Sequence, residues 1–220
     1  EKIKRLFGEQ LIVWFTIGFF VFMLLISASF RTYYNLFNLL LDVSIVGILG
    51  VGMTFVILTG GIDLSVASNL ALTAMIGGLM IHRSGSVLLS FLLMLLVGLG
   101  VGSLNGILIS KLKMVPFIVT LGMLSLARGL AMLSTRGRSV YDFPPIVSEI
   151  GSGAVFGIPI AGIITIVLYI IAGYVLSRTV LGRSVYLVGS NPRAARLSGI
   201  NVEKIRMLVY VISGFCGALA

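Results

Sequence analysis

The chain has 220 residues, 58% of them hydrophobic and 10% charged, and a formal net charge of +9. A soluble domain carries about 25% charged residues, so this composition excludes an ordinary soluble fold and indicates an integral membrane protein. Lys and Arg gather on the cytoplasmic flanks of spans, beside anionic lipid, so the positive charge is not a nucleic-acid signal.

The first residue is Glu1 rather than Met, and Ala220 lies inside an apolar run. Both ends therefore predict a piece of a longer protein. A single Cys, Cys216, rules out an intrachain disulfide, and with a single His, His82, a metal site is not expected. The sequence holds no Gly-x-x-x-x-Gly-Lys-Ser/Thr phosphate loop and no Ser-His-Asp or Cys-His arrangement. The chain is thus expected to be non-catalytic, to need no cofactor and to hydrolyse no ATP by itself.

A span needs about 20 mainly apolar residues. The first runs from Leu11 to Ser29, behind Lys2, Lys4 and Arg5. It is too long, and lacks the small-residue cleavage site, to be a removed signal peptide. The second runs from Leu36 to Leu58, and Thr59-Gly60-Gly61-Ile62-Asp63 separates it from the third, Leu64 to Ile81. The fourth covers Val87 to Ile109, the fifth Val115 to Leu133 and the sixth Ile158 to Leu176. The seventh starts near Ile205 and reaches the last residue. The expected fold is all-α: one polytopic transmembrane domain over residues 1–220, with residues 178–206 as a cytoplasmic loop within it.

Short loops rich in Lys and Arg stay inside. With the N-terminus in the cytoplasm, the inside set is Lys2, Lys4, Arg5, Lys111, Lys113, Arg178, Arg183, Arg193, Arg196, Lys204 and Arg206. The outside set is smaller: Arg31, Arg83, Arg136 and Arg138. The loop Thr135–Gly157 then faces outside. Pro144, Pro145 and several glycines argue against a long helix there, leaving a short docking platform or a plain connector.

Gly98, Gly102 and Gly106 fall four apart on one face of the fourth span, and Gly47, Gly50 and Gly52 lie in the second. Small faces let helices approach closely in lipid. Polar residues inside spans are costly and mark candidate sites. Asp63 either caps the third span, where helix amides favour an anion, or also lines a water-filled path at a broken helix. Arg128 either snorkels to a surface or pairs inside the bundle. Asn69, Thr73, Asn105 and Thr120 either bond across helices or line a path for hydroxylated solutes. From this set, Asp63, Asn69, Thr120 and Arg128 are the candidates for a translocation path.

The long polar run Arg178–Arg206 carries its own helix signals. Asn191 is an N-cap, Pro192 fits the first helical position and Gly199 fits just past the end. Asn201 caps the next helix. A helix of about two turns results. The turn Ser198-Gly199-Ile200-Asn201 has a local look of a DNA-binding helix-turn-helix, but its second helix continues into membrane sequence and cannot enter a groove.

Three stretches, in order, resemble one family. Gly52-Met-Thr-Phe-Val-Ile-Leu-Thr-Gly-Gly-Ile-Asp-Leu-Ser65 is similar to the signature of bacterial sugar ABC-importer permeases of the ribose/galactose/xylose type. Val115-Pro-Phe-Ile-Val-Thr-Leu-Gly-Met123, followed by Arg128-Gly129, resembles that family's fifth span. Gly189-Ser-Asn-Pro-Arg-Ala-Ala-Arg-Leu-Ser-Gly-Ile200 resembles its cytoplasmic coupling loop. The likeness runs from about Asn35 to Ala220. Ala67 stands where the family usually has Gly, and Ser190 replaces another frequent Gly.

The resemblance implies a monosaccharide importer of the bacterial inner membrane, working by alternating access. Its partners would be a second permease copy, identical or not, two cytosolic ABC ATPase subunits, a periplasmic or lipid-anchored sugar-binding protein and the surrounding lipid. Further spans would follow the point matching Ala220. The coupling residues would be Asn191, Arg193, Ala194, Ala195, Arg196, Ser198 and Gly199. Ala194 and Ala195 suit close insertion into an ATPase groove, and Arg193 and Arg196 suit its acidic rim. A permease for nucleosides, branched-chain amino acids or a signalling sugar is the alternative within transport. A secondary carrier or scaffold without an ATPase is the alternative of another class.

Overall fold

A computed structural model describes residues 11–220. The basic residues Lys2, Lys4 and Arg5 lie outside the described residues. Contacts divide the chain into two units, Glu1–Asp42 and Val43–Ala220.

The first unit holds helix α1, Leu11–Ile26, and the start of α2, Tyr33–Leu58. The chain leaves helix at Ser27, whose Oγ accepts from the Phe30 amide at 3.2 Å. Asn35 then ties the turn down, its Nδ2 donating to the Phe30 carbonyl at 2.9 Å. Phe20 and Phe30 meet edge to face at 5.6 Å, a favourable geometry for two aromatic quadrupoles. None of the α1 residues is buried.

In the second unit α2 continues to Leu58 and is followed by α3, Val66–Ser84, α4, Val87–Ser110, and α5, Pro116–Thr135. The loop after α5 contains a short helix, α6, Pro145–Ser152, and a two-stranded hairpin, β1 Ala154–Val155 with β2 Ile158–Pro159. The hairpin pairs Ala154 with Pro159 and Val155 with Ile158. These strands are the one departure from an all-helical chain among the described residues. Helices α7, Ile160–Arg178, α8, Val180–Ser190, α9, Pro192–Leu197, and α10, Val202–Leu219, complete the unit.

Each expected span coincides with a helix to within a few residues. Among the described residues four helices, α2, α4, α5 and α7, are long and apolar enough to cross a membrane. The expected sixth span corresponds to α7 and the seventh to α10. The chain is a polytopic helical membrane protein.

Glycine decides the central contact. Helix α10 packs most extensively on α4, and α3 packs on α4, α5 and α10. A Cβ at Gly98 would stand 2.6 Å from the Gly214 carbonyl, and one at Gly102 would run into the Tyr210 carbonyl. The small face seen in the sequence is thus the seam where α4 and α10 touch backbone to backbone. Around it lie Ile48, Val51, Phe55 and Val56 of α2 with Ile109, Val209 and Tyr210. A second cluster, Leu72, Val101, Met123, Ala127 and Ala131, joins α3, α4 and α5.

Helix α8 was not foreseen as a separate element. Thr179 ends α7 and starts α8, its Oγ1 accepting from the Gly182 amide at 3.2 Å. Leu181 and Val185 pack against the main core and Val188 against the next cluster. Their spacing is that of one helical face.

Candidate functional site

The break between α2 and α3 brings the polar span residues together. After Leu58 the chain turns on itself: the Thr59 and Gly61 amides both donate to the Val56 carbonyl, at 3.1 and 3.0 Å. Gly61 is pressed against Tyr210, whose hydroxyl oxygen would lie 2.6 Å from an added Cβ. A side chain at that position would have to displace the Tyr210 hydroxyl. The non-helical stretch that follows carries Asp63 into the protein, where it is 2% exposed.

Asp63 does not occupy the cap position of α3, which belongs to Ser65. The helix begins two residues later than the expected Leu64 start, so the carboxylate sits upstream of it. Asp63 Oδ1 accepts from the Ser65 amide at 3.0 Å and from Ser65 Oγ at 2.6 Å. Asp63 Oδ2 accepts from Ser213 Oγ of α10 at 2.7 Å. Asn105 of α4 donates to Ser65 Oγ at 2.9 Å. The start of α3 and helix α10 therefore converge on one buried carboxylate, and α4 reaches it through Ser65. Such a chain of donors satisfies a charge that would otherwise be costly to bury.

The other candidates divide clearly. Asn69, 1% exposed, donates to the Gly214 carbonyl at 3.0 Å. Thr120, fully buried, donates to the Pro116 carbonyl at 2.9 Å and reaches the Ile62 carbonyl at 3.4 Å. Tyr210 also donates to Ile62, at 3.3 Å. Thr120 thus joins the network that holds the break, while Asn69 ties α3 to α10 beside it. Arg128 does neither: it is exposed on α5. The sequence reading missed Ser65, Ser213 and Tyr210 as members of the network. Ser213 and Tyr210 are ordinary helix residues in sequence, and only the fold sets them against residues 62 and 63.

A cleft of about 310 Å³ opens beside the break, lined by Thr59, Gly60, Gly61, Lys113, Arg206 and Tyr210. Lys113 and Arg206, both assigned to the inside set, therefore meet at one end of the bundle.

The predicted short helix is α9, and its caps are formed as the residues suggest. Asn191 Oδ1 accepts from the Arg193 and Ala194 amides at 3.1 and 3.0 Å. At the far end Gly199 has φ +79°, a left-handed conformation that glycine adopts without a Cβ penalty. The Gly199 amide bonds the Arg196 carbonyl and the Ile200 amide bonds the Ala195 carbonyl, both at 3.0 Å. This is the double closure of a Schellman motif. Asn201 then caps α10 by accepting from the Lys204 amide at 2.9 Å.

Packing orients this helix. Ala195 is 1% exposed and clusters with Val188 and Val202, with Ile200 against them. Its side chain is consumed within the chain, so it offers nothing for insertion into a partner. Ala194, Arg193, Arg196 and Ser198 are exposed, and Leu197 is 91% exposed. Leu197 was absent from the expected coupling residues. Just before α9, Gly189 lies against the Leu58 carbonyl and the Thr59 backbone, with no room for a side chain. The loop carrying α9 is seated directly on the end of α2, where the Asp63 break begins.

Long apolar helices joined by a broken-helix junction on a buried carboxylate make this a polytopic membrane protein. The chain belongs to the family described as branched-chain amino acid transport system / permease component, whose model matches residues 35–220. It is 40% identical to the ribose import permease protein of Haemophilus influenzae, over 89% of this chain and 62% of that one. It is 38% identical to the ribose import permease protein of Bacillus subtilis, over 93% of this chain and 65% of the relative. The galactofuranose transporter permease protein of Escherichia coli is 39% identical, over 80% and 51%. The chain spans 62% of the length of the Haemophilus relative. No solved structure matches it. The resemblance read from the three sequence stretches is met by this family and by the sugar permeases among its relatives.

Proposed function

We propose that this chain is the membrane subunit of an ATP-driven importer that carries a monosaccharide across the bacterial inner membrane. Its N-terminus lies in the cytoplasm, and it works with a second permease copy, cytosolic ABC ATPase subunits and a periplasmic sugar-binding protein. The relatives named for ribose and galactofuranose support the solute class. ATP hydrolysis belongs to the partners.

The observation that carries the coupling role is the seat of the α8–α9 elbow. Gly189 touches Leu58 and Thr59, while three residues later α9 begins and presents Leu197, Arg193 and Arg196 outward. A partner that grips α9 thereby pushes on the end of α2 and on the turn that holds Asp63. Asn191, Arg193, Ala194, Arg196, Ser198, Gly199 and Leu197 form the gripping surface, and Ala195 anchors it from within. An apolar Leu centred among arginines suits a groove with an apolar floor and an acidic rim.

Branched-chain amino acids are the second reading, favoured by the family's own description. One experiment addresses both. The chain, in its full-length form, is expressed with its ATPase and binding protein, and uptake of labelled ribose and leucine is measured. ATP-dependent ribose uptake that leucine does not inhibit is expected. Uptake without any associated ATPase would return the chain to the class of secondary carriers.

A further inference from the structure

Arg128 is a cation in the middle of an apolar span, and it has no ion-pair or hydrogen-bond partner among the described residues. Charged residues at membrane depth face a bundle interior or a water-filled cavity, because hydrocarbon offers them nothing. Arg128 opens into a groove of about 460 Å³ between α3 and α5. Ala67, Ala71 and Met75 form its α3 side, and Arg128, Met132 and Thr135 lie on its α5 side.

Helix α3 is unlike a helix that meets lipid. None of the exposed large hydrophobic residues lies between Val66 and Ser84, whereas α7 exposes Ile166, Ile170 and Tyr174. The open positions of α3 include Ala67 and Ala74 instead. The groove also continues. It shares Thr135, Arg138 and Ser139 with a second cavity of about 450 Å³, which His82, Tyr141 and Asp142 line. Together the two cavities form one continuous surface, with polar groups set into an apolar lining. It runs from the loop after α5 down to Ala67, two residues beyond the Ser65 that bonds Asp63.

We propose that this α3/α5 groove is a wall of the solute path and that Arg128 is its solute-contacting residue, donating N–H bonds to sugar hydroxyl oxygens. This deepens the reading of the chain as a sugar permease and rests on it. It also separates Arg128 from Asp63 and Thr120, whose polar groups are spent holding the helix break.

The test uses the full importer in membranes. Ala67→Cys and Ala71→Cys are treated with a water-soluble, charged thiosulfonate, and Leu96→Cys, exposed at mid-α4, serves as the lipid-facing control. The buried Cys216 contributes no background. Because the thiolate, which forms in water, attacks the thiosulfonate sulfur and displaces sulfinate, the groove cysteines should react at least about tenfold faster than the control. In parallel, Arg128→Leu should lower ATP-driven ribose uptake per assembled importer by about tenfold, the scale of one lost bond to a charged donor. Arg128→Gln, which keeps N–H donors, should retain most of it. Groove cysteines that react no faster than the control, or full uptake by Arg128→Leu, would overturn the proposal. Absence of sugar uptake by the unmodified importer would instead sink the functional reading, and the labelling rates would still decide whether the groove is wet.

Discussion

Ser213 Oγ donates to Asp63 Oδ2 at 2.7 Å, across a sequence separation of 150 residues. This bond fastens the last described helix to the break between the second and third. It makes the carboxylate a structural hub rather than a helix cap. Ser213→Ala should therefore destabilise the fold. A buried acceptor left without its donor costs about 1–3 kcal/mol. Thermal unfolding of the purified chain in detergent measures this, and an unchanged midpoint would remove Ser213 from the network. Ser65→Ala should cost at least as much, since Ser65 also receives Asn105.

The α4–α10 seam makes a sharper demand. Gly102→Val would drive a side chain into the Tyr210 carbonyl and within 3.0 Å of the Gly214 Cα. Overpacking of this kind costs about 1–3 kcal/mol and often more where backbone is the obstacle. Loss of the monodisperse folded fraction is expected. Gly100→Val, with open space around it, should be tolerated in the same assay.

Coupling is checked at Leu197. Its side chain is 91% exposed, so Leu197→Asp should leave the folding of the chain intact. If α9 seats in an ATPase groove, the substitution should weaken copurification of the ATPase by about tenfold or more, as loss of a central interface anchor does. Ala194→Arg should act in the same direction. Normal association by both variants would argue that another surface makes the contact.

Gly189 separates docking from transmission. Gly189→Ala has no space against the Leu58 carbonyl and must lift α8 from the end of α2. ATPase association should persist, because the surface of α9 is untouched, while uptake per assembled importer should fall. Equal loss of association and uptake would indicate that the loop has simply misfolded.

Orientation is tested with cysteines at Ser190 and Ser148, both at exposed positions. An impermeant reagent applied from outside should label Ser148→Cys in intact cells and Ser190→Cys only after the membrane is opened. Labelling of both from outside would reverse or break the topology.

Much of this protein was legible from the order of its residues alone. Hydrophobic runs long enough to span a membrane are local, and so are caps: Asn191, Pro192 and Gly199 announce α9 through bonds that reach no further than a few residues. The Gly98-Gly102-Gly106 face was visible too, because four-residue spacing places side chains on one side of a helix. Its partner, α10, was not. The fold alone decided which distant groups meet. Asp63 reads as a cap until Ser213 and Asn105 are placed around Ser65 and the carboxylate. Ala194 and Ala195 read alike until Val188 and Val202 claim one of them and turn Leu197 outward. The reason is physical: a helix face is set by sequence period, but the occupant of that face is set by packing between segments far apart in the chain.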